Sequence, residues 1–212
     1  MDKAEILKKV DLSLLSPTAT SSEILALCDK SIAFRTACVC IPPSYVPFAK
    51  QYLGDRTPIC TVIGFPNGYN TTAAKCAEAE DAIKNGASEI DMMANLTYVK
   101  NRKYEILLDE IRRVKEVCKS QILKVIIETC LLTEREKKEL CSIVSDAGAD
   151  FIKTSTGFST AGATVSDIVL MRKYCSPNLK IKAAGGIKTF YRAEIMLGSG
   201  ADRIGASNLI DE

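Results

Sequence analysis

Eight short apolar runs rich in β-branched residues alternate with longer amphipathic stretches along the whole chain, at residues 10–14, 37–41, 59–64, 89–94, 123–128, 151–154, 180–184 and 203–206. Between them, residues 21–34, 44–52, 72–85, 104–118, 134–147, 165–174 and 190–197 carry helical patterns. Strand-length segments separated by helix-length ones predict parallel strands joined by helices. Three related segments support the count: Gly86-Ala87-Ser88-Glu89-Ile90, Gly148-Ala149-Asp150-Phe151-Ile152 and Gly200-Ala201-Asp202-Arg203-Ile204. Each places a glycine at a helix exit just before the fourth, sixth or eighth strand, as repeated βα units require. Eight strands in 212 residues predict a closed (β/α)8 TIM barrel, with an open doubly wound sheet as the alternative. No linker or low-complexity segment divides the chain, so residues 1–212 read as a single catalytic barrel domain. Residues 1–9 read as a short extra N-terminal helix, and residues 208–212 are too few for a full eighth helix, which is expected to be truncated or missing.

Composition removes several function classes. Lys and Arg total 28 against 26 Asp and Glu, and the resulting net charge of +2 gives no electrostatic case for a nucleic-acid or anionic-membrane partner. No stretch reaches membrane-spanning length, and residues 1–9 lack the apolar run of a secretory signal. The nine cysteines are odd in number and scattered through apolar runs, which fits reduced thiols and a cytoplasmic location. There are no histidines, which excludes a Ser-His-Asp triad, a histidine acid or base and the usual histidine-containing zinc sites. Cys38 and Cys40 are too few to hold a structural zinc, and no metal is expected. Chemistry therefore falls to Lys, Asp, Glu, Cys, Ser or Tyr.

In such a barrel the reacting groups sit at the carboxyl ends of the strands. The sixth strand carries Lys153 among apolar residues and opens into the hydroxyl-rich loop Thr154-Ser155-Thr156-Gly157. Burial disfavours an ammonium and so favours the neutral, nucleophilic amine. Lys182 lies near the same end of the neighbouring seventh strand, and repulsion between two such cations would release the proton of one. Gly185-Gly186 follows the seventh strand and Gly205-Ala206-Ser207-Asn208 closes the eighth, the two places where barrels commonly cradle a phosphate. Asp91 sits among apolar residues in the fourth strand and is a candidate proton shuttle, or else the ion-pair partner of an interior lysine. Lys124 on the fifth strand, on one face with Ile126 and Glu128, is such a partner. Asp11 and Ser13 end the first strand, where they could touch substrate, whereas Cys40, before Pro42-Pro43, reads first as packing.

The run Val125-Ile126-Ile127-Glu128-Thr129 and the stretch from Ala147 through Lys153-Thr154-Ser155-Thr156-Gly157-Phe158 closely resemble deoxyribose-phosphate aldolases. So do Val62-Ile63-Gly64-Phe65-Pro66, Glu89-Ile90-Asp91-Met92-Met93, Lys182-Ala183-Ala184-Gly185-Gly186-Ile187 and Arg203-Ile204-Gly205-Ala206-Ser207. The resemblance implies reversible class I aldol cleavage of 2-deoxy-D-ribose 5-phosphate to acetaldehyde and D-glyceraldehyde 3-phosphate, without metal or organic cofactor, in a homo-oligomer. It makes Lys153 the Schiff-base nucleophile, Lys182 its activating neighbour and Asp91 the proton shuttle, acting with an ordered water. It assigns the phosphate to Gly157, Gly185, Gly186, Gly205, Ser207 and Asn208, and the polar surroundings of the substrate to Asp11, Ser13, Cys40 and Lys124. Ser13 stands where the family usually has threonine and Asn208 where a second serine is common. The sequence ends at Glu212 without the tyrosine-ending tail that assists proton transfer in some members.

Overall fold

The structure, a computed structural model, describes residues 1–209. Its elements are α1 (Lys3–Leu7), β1 (Val10–Ser13), α2 (Ser21–Phe34), β2 (Cys38–Ile41), α3 (Val46–Leu53), β3 (Ile59–Ile63), α4 (Thr72–Lys84), β4 (Glu89–Met93), α5 (Leu96–Lys100), α6 (Tyr104–Cys118), β5 (Ile122–Ile126), α7 (Glu134–Asp146), β6 (Phe151–Lys153), α8 (Val165–Tyr174), β7 (Lys180–Ala184), α9 (Phe190–Gly198) and β8 (Arg203–Ala206). The eight strands pair in sequence order, all parallel, and β8 closes on β1. The predicted barrel is therefore the observed one, and the open sheet is excluded.

Strand alternation sorts the side chains into two environments. Ile152, Ile181 and Ile204 point outward and join the large apolar layer between the strands and the helices. The neighbouring positions point into the barrel, where β2 and β3 contribute a small cluster of Cys38, Cys40, Cys60 and Val62. The rest of the interior carries charged side chains among apolar ones such as Ile126 and Phe151. All nine cysteines are free thiols. No helix among the described residues is long and apolar enough to cross a membrane.

Local chemistry starts and stops the helices. Thr20 with Glu23 and Thr133 with Glu136 form capping boxes at α2 and α7, each closing backbone N–H groups that the first turn leaves open. Gly86, Gly148 and Gly200 leave their helices at φ of 110°, 74° and 114°, a backbone that glycine adopts without steric cost. The sequence pattern differs from the structure at several boundaries. The segment predicted helical from residue 44 begins as a 3-10 turn over Pro43–Tyr45, and the α-helix starts at Val46. The N-terminal helix covers only Lys3–Leu7, and α5, five residues long, was too short to show a helical period. The expected shortening of the eighth helix concerns residues 210–212, which lie outside the described residues.

A second buried ion pair braces the barrel from outside. Lys75 on α4 and Glu110 on α6 are both fully buried and 2.8 Å apart, and Lys75 also donates to the Met93 carbonyl at 2.9 Å, at the end of β4. Removing one partner leaves the other charged and unpaired. Glu110→Ala should therefore cost about 3–5 kcal/mol in urea unfolding, whereas Lys75→Met combined with Glu110→Leu should be nearly neutral or stabilising. Equal losses in the two variants would contradict this account.

Candidate active site

The barrel interior holds one continuous charge network. Lys153 and Lys182 are register partners on β6 and β7, as are Asp91 and Lys124 on β4 and β5. Asp91 Oδ2 accepts from Lys153 Nζ and from Lys182 Nζ, both at 2.7 Å, while its Oδ1 accepts from Lys124 Nζ at 2.8 Å. Below this layer Lys124 pairs with Glu89 at 2.6 Å and lies 3.5 Å from Asp11, and Lys182 pairs with Asp11 at 2.5 Å. Arg203 joins Asp11 at 2.5 Å to Glu89 at 2.9 Å. The Cys60 thiol lies 3.1 Å from Asp91 Oδ1.

These contacts fix the charge states. Burial works against the Asp91 carboxylate, but Lys124, Lys153 and Lys182 more than offset it and hold its pKa well below the usual range. Burial likewise opposes the Lys182 ammonium, yet Asp11 and Asp91 raise its pKa well above that of an ordinary lysine. Lys124 is held charged against burial by Asp91, Cys60, Asp11 and Glu89. The repulsion expected between the two neighbouring lysines therefore does not release the proton of Lys182.

Above the network opens a cleft of about 410 Å³, and the lysine at its floor is Lys153, only 3% exposed. Ser13, Gly157, Gly185, Gly186, Gly205, Ser207 and Asn208 line it together, so the structure brings the expected phosphate loops to the lysine. Gly157, Gly185 and Gly186 have φ of 88°, 86° and 74°. Glycine is also required sterically, since a Cβ on Gly162 would fall 2.2 Å from the Gly185 carbonyl oxygen and one on Gly205 would meet Lys182 Cε at 3.2 Å. Gly205 thus makes room for the lysine on the neighbouring strand as well as lining the cleft. Asp11, Cys40, Asp91, Lys124 and Lys182 are fully buried and lie beneath the floor rather than in its lining.

Several participants carried no sequence signal of their own. Arg203 and Cys60 complete the network, and Lys188, exposed on the loop after β7, is a cation in the cleft lining. Glu128 was expected on one strand face with Lys124. Instead β5 ends at Ile126, and Glu128 turns into the left-handed region at φ 49°, where its carboxylate accepts from the Thr156 amide at 3.3 Å and from the Thr156 hydroxyl. Thr156 in turn accepts from the Phe158 amide at 3.0 Å, so a buried carboxylate shapes the loop beside Lys153. The donor atoms of Asp11, Cys38, Cys60 and Glu89 lie within 4.8 Å of one another, a spacing compatible with a cation. Lys124, Lys182 and Arg203 already supply the positive charge facing those carboxylates.

A parallel barrel that presents one lysine at the base of an open cleft, backed by a buried carboxylate, defines an enzyme equipped to bind a carbonyl compound through an amine. A family model described as DeoC/LacD family aldolase matches residues 5–206, and the chain belongs to that family. It is 56% identical over 210 residues to a deoxyribose-phosphate aldolase of Streptococcus pyogenes serotype M4, covering 99% of this chain and 94% of that protein. A Streptococcus agalactiae serotype Ia protein of the same name is 55% identical over the same shares. Among solved structures, the tetrameric deoxyribose phosphate aldolase of Aeropyrum pernix superposes with a TM-score of 0.92 at 28% identity, covering 98% of this chain and 88% of that one.

Proposed function

We propose that the chain cleaves 2-deoxy-D-ribose 5-phosphate reversibly to acetaldehyde and D-glyceraldehyde 3-phosphate, with Lys153 as the Schiff-base nucleophile. The observation that carries this reading is the distribution of carboxylates among the interior cations. Lys124 meets three, Lys182 two and Arg203 two, but Lys153 meets Asp91 alone. Four cations thus face three carboxylates, and the one at the cleft is the one with the fewest carboxylate partners. That lysine stands where substrate arrives, and as the amine it is the nucleophile of the proposed reaction.

The amine adds to the aldehyde carbon, and loss of water gives the iminium. Removal of the proton from the C3 hydroxyl breaks the C2–C3 bond, releasing glyceraldehyde 3-phosphate and leaving an enamine. Protonation of that enamine and hydrolysis then free acetaldehyde and the amine. Asp91 exchanges protons with the Lys153 nitrogen directly and, since it does not line the cleft, reaches the substrate oxygen through a water. Gly157, Gly185, Gly186, Gly205, Ser207 and Asn208 hold the phosphate with backbone and hydroxyl or amide donors, and Lys188 adds a charge. Ser13 meets the substrate from the β1 end. Asp11 and Lys124 act from below by holding Lys182 and Asp91, and Cys40 packs beneath them. The whole chain forms one catalytic domain, cytoplasmic and homo-oligomeric, as a dimer or a tetramer. The tetrameric relative supports assembly.

Incubation of the purified chain with deoxyribose 5-phosphate should release acetaldehyde and glyceraldehyde 3-phosphate in equal amounts; no release sinks the proposal. Lys182→Met should leave the fold intact but move the acid limb of kcat/KM to higher pH, because Lys153 would then share Asp91 with Lys124 alone. An unchanged profile would show that Lys182 has no part in activation.

A further inference from the structure

The proposed reaction leaves one buried carboxylate beside the cleft unused. Glu128 is 3% exposed and lies outside the cleft lining, with its backbone at φ 49° and ψ 67°. Three other non-glycine residues have positive φ, Arg35, Arg102 and Lys119, and all three are exposed. A side chain in this region is disfavoured and persists where surrounding contacts hold it. Here those contacts lead to one turn. Both carboxylate oxygens accept from the Thr156 amide at 3.3 Å, and Oε2 also accepts from the Thr156 hydroxyl. The Cys130 thiol lies 3.9 Å from Oε1 and 3.4 Å from Ser159 Oγ, a second link between the loops after β5 and β6.

These bonds decide which donors the turn can offer. Thr156 spends its amide and its hydroxyl proton on Glu128, and its hydroxyl oxygen takes the Phe158 amide at 3.0 Å. None of the three is left for an anion in the cleft. Between them Gly157, at φ 88°, is exposed in the cleft lining, and its amide has no acceptor among the described residues. Free N–H groups in turns of this kind make anion-binding concavities.

We propose that Glu128 is a positioning residue for the phosphate end of the substrate: it commits both donors of Thr156 and so fixes the turn that leaves the Gly157 N–H for a phosphate oxygen. The proposal rests on the phosphate site and the Lys153 chemistry of the proposed function. Glu128 acts through Thr156 and not on substrate, since it lies outside the cleft lining. Lys153 is held separately, because the Ile127 amide donates to the Lys153 carbonyl at 3.0 Å and the Thr129 amide to the Thr154 carbonyl at 2.9 Å. The carboxylate can therefore be removed without freeing the end of β6.

Glu128→Gly tests this, because glycine adopts the same φ without steric cost and the carboxylate is what is lost. The inhibition constant of inorganic phosphate against deoxyribose 5-phosphate should rise about tenfold, the effect of losing one hydrogen bond to a charged group, and KM for deoxyribose 5-phosphate should rise with it. Borohydride trapping of acetaldehyde, which carries no phosphate, should proceed at the wild-type rate. Glu128→Gln keeps the bulk but presents one acceptor to two donors, so it should move both constants the same way by less, and it carries the test if the glycine variant does not fold. Constants equal to those of the wild type in every variant that folds overturn the proposal. So does a slowing of acetaldehyde trapping as large as the rise in KM, which would make Glu128 a support for Lys153. Absence of trapping on Lys153 in the unmodified chain instead overturns the reading beneath it.

Discussion

Borohydride added to the protein in the presence of acetaldehyde should leave one ethyl group on Lys153, and Lys153→Ala should take up none and lose all cleavage activity. The selectivity follows from the network. Lys124 and Lys182 are fully buried and held as ammonium ions by their carboxylates, so neither offers a lone pair to an aldehyde. Lys153 alone among these lysines reaches the cleft. The same geometry predicts that the variant folds, because removing Lys153 leaves Lys124, Lys182 and Arg203 each paired with carboxylates of Asp11, Glu89 and Asp91. Peptide mapping of the reduced adduct and a urea unfolding curve check both halves. An adduct that persists in Lys153→Ala would place the nucleophile elsewhere and sink the assignment.

The barrel was legible in the sequence because its determinants are local. A β-branched run followed by an amphipathic stretch repeats along the chain, and each of the eight runs lies on the strand expected of it. Boundaries were less legible where the side chain suits more than one state. Glu128 continues the alternation of β5 in sequence, yet its carboxylate is drawn to the Thr156 amide and hydroxyl, and the backbone leaves the strand to reach them. At the site, Lys153, Lys182 and Asp91 stood out because each is a charge in an apolar strand. That Lys182 keeps its proton did not, since that depends on Asp11, 171 residues away in sequence from Lys182 and 2.5 Å from it in space. Arg203 was unremarked for the same reason. At the amino end of β8 it reads as a surface cation, and only closure of β8 on β1 turns it toward Asp11 and Glu89. The glycine loops after β7 and β8 were readable from position and composition, whereas the apolar hollow lined by Leu15, Pro42, Tyr45, Phe65 and Phe158 was not, because its walls come from four separate strand ends.

Asp91→Asn should damage both stability and turnover, and the two losses separate by pH and by step. The amide keeps the shape of the carboxylate but not its charge, so Lys124, Lys153 and Lys182 each lose an anionic partner inside the barrel. Uncompensated buried charge of this kind costs about 3–5 kcal/mol. Because the Asp91 carboxyl is held well below the usual range, its stabilisation is fully present above the unfolded value, about 3.9, and is lost only as pH falls from there through the folded value. The gap between wild type and variant in urea unfolding should thus be the same at pH 7 and pH 5 and should narrow only in stronger acid. A gap already closed at pH 5 would mean that Asp91 is not the strongly ion-paired group the distances describe. In the proposed reaction the carboxylate accepts and returns protons, work worth about 10²- to 10⁴-fold in rate. The exchange of acetaldehyde methyl protons with solvent, which reads enamine formation and reprotonation, should slow by that order. Borohydride trapping, which reads only the imine, should slow by less, because the Lys153 amine is still present and still at the cleft floor. Equal slowing of both steps would make Asp91 a holder of lysines and not a carrier of protons.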